Sequence, residues 1–166
     1  MISDKPMMDR YRWLGLATGV ALADQGAKHW IAGAFPLGAG ETVLPFFNLV
    51  HILNSGAAFS FLANAGGWQR YVFIALALVV SVGLTIILLK GVANRWEGWG
   101  YSLLLGGAVG NLVDRLVRGA VVDYLDFHAG GWHWPAFNLA DTALCLSALI
   151  LLWGTLLSSA QSKATP

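Results

Sequence analysis

Five aspartates stand where apolar sequence would otherwise run on: Asp24 in ALADQGAKHW, Asp114 in GNLVDR, Asp123 and Asp126 in VVDYLDF, and Asp141 in FNLAD. An ionisable side chain in such a run is costly to hold there and is by default a functional hypothesis. Hydrolysis by carboxylates, proton relay and ion binding are the chemistries open to such a set. Each residue also has a structural account. Gly107, Asn111 and Asp114 follow spacings of four and three and so share a helix face, with Arg115 four residues beyond Asn111. That group could simply knit helices together. Asn138 is placed to cap a helix, leaving Asp141 in the first turn, where the helix dipole favours an acid. Asp24 and Lys28 are four apart with the acid on the N-terminal side, the favourable order for a pair.

The elements carrying these residues are those of a membrane protein. Of 166 residues 57% are hydrophobic and 11% charged, well outside the usual soluble balance. A net charge of +1, without clustered Lys and Arg, gives no reason to expect a nucleic-acid partner. The single cysteine, Cys145, can form no internal disulfide and reads as a small buried apolar residue. Because a spanning helix needs about 20 mainly apolar residues, spans are expected at about 13–34, 70–90, 97–117 and 139–158. The fold expected is a single, mainly α membrane domain over 1–166 with a small extracytoplasmic β-sheet and loop cap, and with mobile tails at 1–8 and 159–166. Gly106 and Gly110 form a small-xxx-small pair that lets another helix approach closely. A cleavable signal peptide ending near Ala21-Leu22-Ala23 is the rival for the first segment, disfavoured because apolar sequence resumes after Lys28 with WIAGAF.

Four spans collect Lys5, Arg10, Arg12, Lys90, Arg95 and Lys163 on one side and leave Arg70 and Arg118, with Arg115 at a span end, on the other. The positive-inside rule therefore puts both termini in the cytoplasm and the connections 35–69 and 118–138 outside. These connections are rich in β-branched and aromatic residues and suit a small sheet lying on the membrane. Several of the eight tryptophans fall near span ends, as in an interfacial belt. Asp114, Asp123, Asp126 and Asp141 then gather at the outer face.

DQGAK (24–28), NSGAAFSF (54–61), GGAVGNLVDR (106–115), VVDY (121–124) and FNLAD (137–141), in this order in a four-span chain, closely resemble the bacterial lipoprotein signal peptidases, or signal peptidase II. The resemblance covers about residues 11–157. It implies an aspartic endopeptidase of the inner membrane that removes the signal peptide of a prolipoprotein just before a diacylglyceryl-modified cysteine. Carried over by motif, Asp123 and Asp141 would be the catalytic pair. Asn54 and Arg115 would bind the lipid-modified substrate, with Asn111 and Asn138 beside them supporting the acids. Asp24 and Lys28 would be structural or near the site, Gly110 structural or supporting, and Asp114 would hold Arg115. Asp126 matches nothing in the pattern and reads as a solvated loop acid. The partners implied are the prolipoprotein, membrane lipid and globomycin-type cyclic peptide inhibitors, the protein acting as a monomer without metal or cofactor. Two close carboxylates sharing one proton can supply both the base and the acid that peptide hydrolysis needs. The outer sheet and stretch 66–73 could close over the substrate.

Other readings account for less. His29, His51, His128 and His133 are scattered with no HExxH pair for a metal. A Ser-Lys hydrolase using Ser55 or Ser60 with Lys28 is opposed by Asp24, which would neutralise the lysine. The GxGD signature of presenilin-type proteases is absent. A proton-relaying transporter or channel subunit would be expected to show repeated halves, which are not found. A scaffold held by glycine packing leaves the acids of VVDY and FNLAD without a role.

Overall fold

The computed structural model describes residues 7–56 and 66–164. In chain order it has α1 (Met7–Ala34), β1 (Gly40–Leu44), β2 (Phe47–Asn54), α2 (Trp68–Lys90), α3 (Arg95–Val117), β3 (Val121–Ala129), β4 (Trp132–His133) and α4 (Leu139–Ala164). The protein is thus mainly helical with one small sheet. Each expected span falls inside one helix. α1 already includes Met7 and Met8, and α4 continues through Ala164. No Pro or Gly interrupts SSAQSKA, and the Ser158 and Ser159 hydroxyls donate to the carbonyls of Gly154 and Thr155 at 2.9 and 3.0 Å.

Two helices, Trp68–Lys90 and the Leu139–Ser159 part of α4, are long and apolar enough to cross a membrane by length and composition. On α2, Leu76, Val79, Val82 and Ile86 are exposed and spaced by three and four, an apolar stripe turned away from the protein. Only Gln69, Leu84 and Leu88 of α2 are buried. α1 and α3 are less apolar because their inward faces carry polar groups. Among the described side chains of α1 the buried ones are Trp13, Ala17, Asp24, Lys28 and Ile31, whose spacings keep them on one stripe with the ionic pair between apolar residues.

α3 packs against all three other helices, and its glycines make this possible. A Cβ at Gly106 would stand 2.7 Å from the Ala17 carbonyl oxygen, and one at Gly110 2.5 Å from Asp24 Oδ2, so α1 lies directly on this pair. On the neighbouring face a Cβ at Gly107 would stand 2.6 Å from the Ala140 carbonyl oxygen, bringing α4 equally close. Gly106→Ala should therefore lower thermal stability in detergent by about 1–3 kcal/mol, because backbone is the obstacle and cannot rotate away.

The sheet has the order β1-β2-β3-β4 with antiparallel neighbours, so the two connections between helices pair with each other. Ile52 lies opposite Asp123, Leu53 opposite Val122 and Asn54 opposite Val121. The β3–β4 hairpin turns on Gly130 and Gly131, both at positive φ (58° and 82°), which the tight two-residue loop requires. α3 begins at Asn94, whose side chain accepts from the backbone N–H groups of Trp96 and Glu97. It ends under two cations: Arg70 Nε donates to the Arg115 carbonyl at 2.8 Å, and Arg118 pairs with Asp114. Arg70 thus satisfies carbonyls at the negative end of the helix, where the charge of Arg118 is also favoured.

Candidate active site

α4 starts where the chain leaves the sheet, at Asn138. The Asn138 side-chain oxygen accepts the Asp141 backbone N–H at 2.9 Å, capping the helix. Its amide nitrogen, thereby turned the other way, donates to Asp123 Oδ1 at 2.7 Å. Capping and carboxylate support, alternatives in the sequence, are one arrangement. This residue brings Asp123 of β3 and Asp141 of α4 together.

Two further amides complete the clamp. Asn54, at the end of β2, donates to Asp123 Oδ2 at 3.0 Å, while its oxygen accepts the Gly56 N–H at 2.9 Å. Asn111 of α3 donates to Asp141 Oδ1 at 2.8 Å, while its oxygen accepts from Lys28 Nζ at 2.8 Å. An amide oxygen and nitrogen cannot exchange roles here, since each of the three has an N–H group on its oxygen and a carboxylate on its nitrogen. Both acids are therefore aimed by amides from three different places in the fold: the end of β2, the middle of α3 and the head of α4. Asn111 and Asn138, grouped with the substrate contacts from sequence, are buried.

Burial, and next the charge of Asp141, push the Asp123 carboxyl up to about 7, against the hydrogen bonds of Asn54 and Asn138 and the charge of Lys28. Tyr124, the next residue, is raised to about 12 mainly by burial and stays a phenol whose oxygen accepts the Leu139 N–H at 3.2 Å.

A cavity of about 290 Å³ opens beside the acids, lined by Asn54, Phe137, Asp141, Thr142, Cys145 and Leu146 among others, and is mostly apolar. A larger one of about 510 Å³, among Arg10, Arg12, Trp13, Arg95 and Trp99, lies at the other end of the bundle and touches none of the five acids. Cys145 is exposed in the groove rather than buried, a correction to the expectation, because its turn of α4 faces the Trp134–Phe137 segment across open space.

Behind the acids lies an ion cluster. Lys28 Nζ meets Asp24 Oδ2 at 2.8 Å and Asp114 Oδ2 at 3.0 Å, all three side chains fully buried. Asp24 Oδ1 accepts the Ala140 N–H at 2.9 Å, tying α1 to the start of α4. Asp114 does not hold Arg115, as expected from its motif. It takes Lys28, Arg118, Gln25 Nε2 at 3.1 Å and the Val122 N–H at 3.0 Å. Adjacent residues on a helix point about 100° apart, which turns Arg115 elsewhere. Arg115 donates to the Gly56 carbonyl at 2.9 Å and lies over the Phe73 ring at 5.0 Å. The Lys28 ammonium is engaged by Asp24, Asp114 and the Asn111 oxygen, which leaves the Ser-Lys reading without support. Ser60 and the rest of NSGAAFSF after Gly56 lie outside the described residues.

Asp126 also departs from expectation. It is buried in β3, where Asn48 Nδ2 stands 2.8 Å from Oδ2 and His133 Nδ1 2.8 Å from Oδ1. Burial pushes its carboxyl up, but Asn48 and His133 outweigh this and hold it below the ordinary range. The contact with His133 was foreshadowed by Gly130-Gly131, a hairpin signal that sets His128 opposite His133. Gln25, Arg70 and Arg118 were not singled out as site neighbours. An amide inside an apolar helix was the available signal for Gln25.

Comparison with known proteins bears on this arrangement directly. Residues 16–157 match the family model of signal peptidase (SPase) II. The chain is 44% identical to a lipoprotein signal peptidase of Yersinia enterocolitica over 154 residues, 92% of this chain and 91% of that one. It is 48% identical to one of Paraburkholderia phymatum over 144 residues, 87% of each. Two solved bacterial membrane enzymes have the same fold, one with TM-score 0.81, 28% identity and 93% of both chains covered, the other with TM-score 0.74, 29% identity and 87% and 92% covered. The chain belongs to the signal peptidase II family and is a peptidase of bacterial membranes.

Proposed function

We propose that Asp123 and Asp141 are the hydrolytic pair and that the substrate is a prolipoprotein cut just before its diacylglyceryl-modified cysteine. The observation carrying this is the clamp of three oriented asparagine amides on two acids, Asp123 buried and Asp141 half-buried, beside an apolar groove. The ionised member of the pair takes a proton from water, whose oxygen adds to the scissile carbonyl carbon. The protonated member gives its proton to the carbonyl oxygen. As the tetrahedral diol collapses, the protonated acid gives its proton to the cysteine nitrogen, the other acid takes one from a diol hydroxyl as the carbonyl re-forms, the C–N bond breaks, and the pair again shares one proton. Asn54, Asn111 and Asn138 keep both carboxylates aimed throughout. Arg115 and Asn54 border the substrate backbone and lipid headgroup.

All four helices cross the membrane in this reading, with the polar faces of α1 and α3 turned into the bundle, both termini cytoplasmic and the sheet and acids at the outer surface. The distribution of Lys and Arg supports this orientation, and the exposed apolar stripe of α2 supports the lipid contact. Water reaches the pair from outside, and a signal helix enters sideways from lipid.

The test is cleavage in detergent or liposomes, read as a gel shift of a diacylglyceryl-modified prolipoprotein. The purified protein should shorten it and leave the unmodified precursor intact. An unprocessed lipidated substrate would overturn the proposal and make ion flux the next measurement. The rate should fall as pH rises through about 7, where the pair gives up its shared proton. It should fall again at low pH as a second proton binds, and a rate independent of pH between 5 and 9 would contradict the pair. Cys145→Trp should fill part of the groove and raise KM about tenfold with the melting temperature unchanged, since one well-filled apolar contact is worth roughly 1–3 kcal/mol.

A further inference from the structure

We propose that Lys28 is a positioning residue for cleavage, acting on Asp141 through the amide of Asn111. The proposal rests on the reading of Asp123 and Asp141 as the hydrolytic pair. Lys28 has three ammonium protons and three acceptors: Asp24 on its own helix, Asp114 on α3 and the Asn111 oxygen at 2.8 Å. The two acids hold the cation still. The third contact leaves the ion cluster and reaches the site.

An asparagine amide has two orientations that exchange oxygen and nitrogen. Asn111 lies between a group that only donates, the ammonium, and one that only accepts when ionised, the Asp141 carboxylate 2.8 Å from its nitrogen. One orientation satisfies both. Asn138 Nδ2 also stands 3.4 Å from the Asn111 oxygen, but it is engaged with Asp123 at 2.7 Å and cannot hold the amide alone. Without a donor at residue 28 the amide can turn its oxygen toward Asp141, which then loses its side-chain hydrogen bond. Charge neutrality does not need this contact, since Lys28 and Arg118 already face Asp24 and Asp114. The Lys28–Asn111 bond is thus more than an ion pair requires.

Removing Lys28 alone would strand buried carboxylates, so the test keeps the charge balanced. Three proteins are compared with the lipidated prolipoprotein: wild type, Asp24→Asn/Lys28→Met, and Asp24→Asn/Lys28→Gln, whose side-chain amide can still donate to Asn111. The Met pair should lose kcat by on the order of 10- to 100-fold, the range expected when a reacting group is misplaced by about an ångström, with KM unchanged. The Gln pair should recover most of it at a similar melting temperature. Asn111→Ala should cost wild type and the Gln pair alike and cost the Met pair nothing further. Equal rates in the Met and Gln pairs, or an Asn111→Ala loss of full size in the Met pair, would overturn the proposal. If the Met pair does not fold, the Gln pair decides: Asn111→Ala must slow it as much as wild type, and no slowing refutes the idea. Asp141→Asn in wild type separates the two levels. Full activity there refutes the hydrolytic pair itself, whereas its loss alongside a fully active Met pair refutes only the role of Lys28.

Discussion

Asp123→Asn and Asp141→Asn, each made alone, should lower kcat for prolipoprotein cleavage by on the order of 1000-fold, the upper range for loss of a general acid or base. An asparagine can neither take the proton of water nor return one to the leaving nitrogen. The replacement is isosteric, so the groove and the partner acid stay in place and KM should change little. Asp126→Asn is the control. Its carboxylate lies on the same strand but is occupied by Asn48 and His133, so its loss should leave kcat within a few fold. Single-turnover cleavage of a labelled lipidated substrate measures all three. If Asp126→Asn proved as damaging as Asp123→Asn, the effect would belong to the sheet and not to the pair.

The second large effect is on stability, and its sign follows from the same carboxyl. Asp123 is raised from 3.8 to about 7 in the folded protein. A group with a raised folded pKa contributes its stability at pH below the unfolded value and loses it as pH rises through the folded value. Holding Asp123 ionised therefore costs the fold up to about 4 kcal/mol at pH 8, by the free energy of one pKa unit. Asp123→Asn has nothing to ionise. The inactive variant should melt higher than wild type at pH 8, and the gap should close or reverse toward pH 4, where wild type is protonated and keeps both amide contacts. Thermal unfolding in one detergent across pH 4–8 measures this. A gap independent of pH would mean that Asp123 is not held in its raised state by burial beside Asp141. The site in this account is less stable than it could be, because two acids are kept close enough to share a proton.

Much of this was legible along the chain because it depends on spacing within one element. The apolar runs delimit the helices, Gly106 and Gly110 lie one turn apart on the face that receives α1, and the aromatic and β-branched connections form the sheet. The acids gather at one end because each lies near a helix end or in a connection on the same side of an up-and-down chain. What spacing cannot give is the pairing between elements. Asp114 and Arg115 are neighbours in sequence, yet the acid serves Lys28, Arg118 and the Val122 N–H while the guanidinium reaches the Gly56 carbonyl. Asp126 is drawn out of solvent only because β2 brings Asn48 beside it and the hairpin turns His133 back onto it. The sequence by itself determined the membrane class, the helices and the family of the chain. The tertiary structure alone decided which amide holds which carboxylate, because a hydrogen bond depends on fractions of an ångström between residues as far apart as Asn54 and Asp123, Asn111 and Asp141, or Lys28 and Asn111.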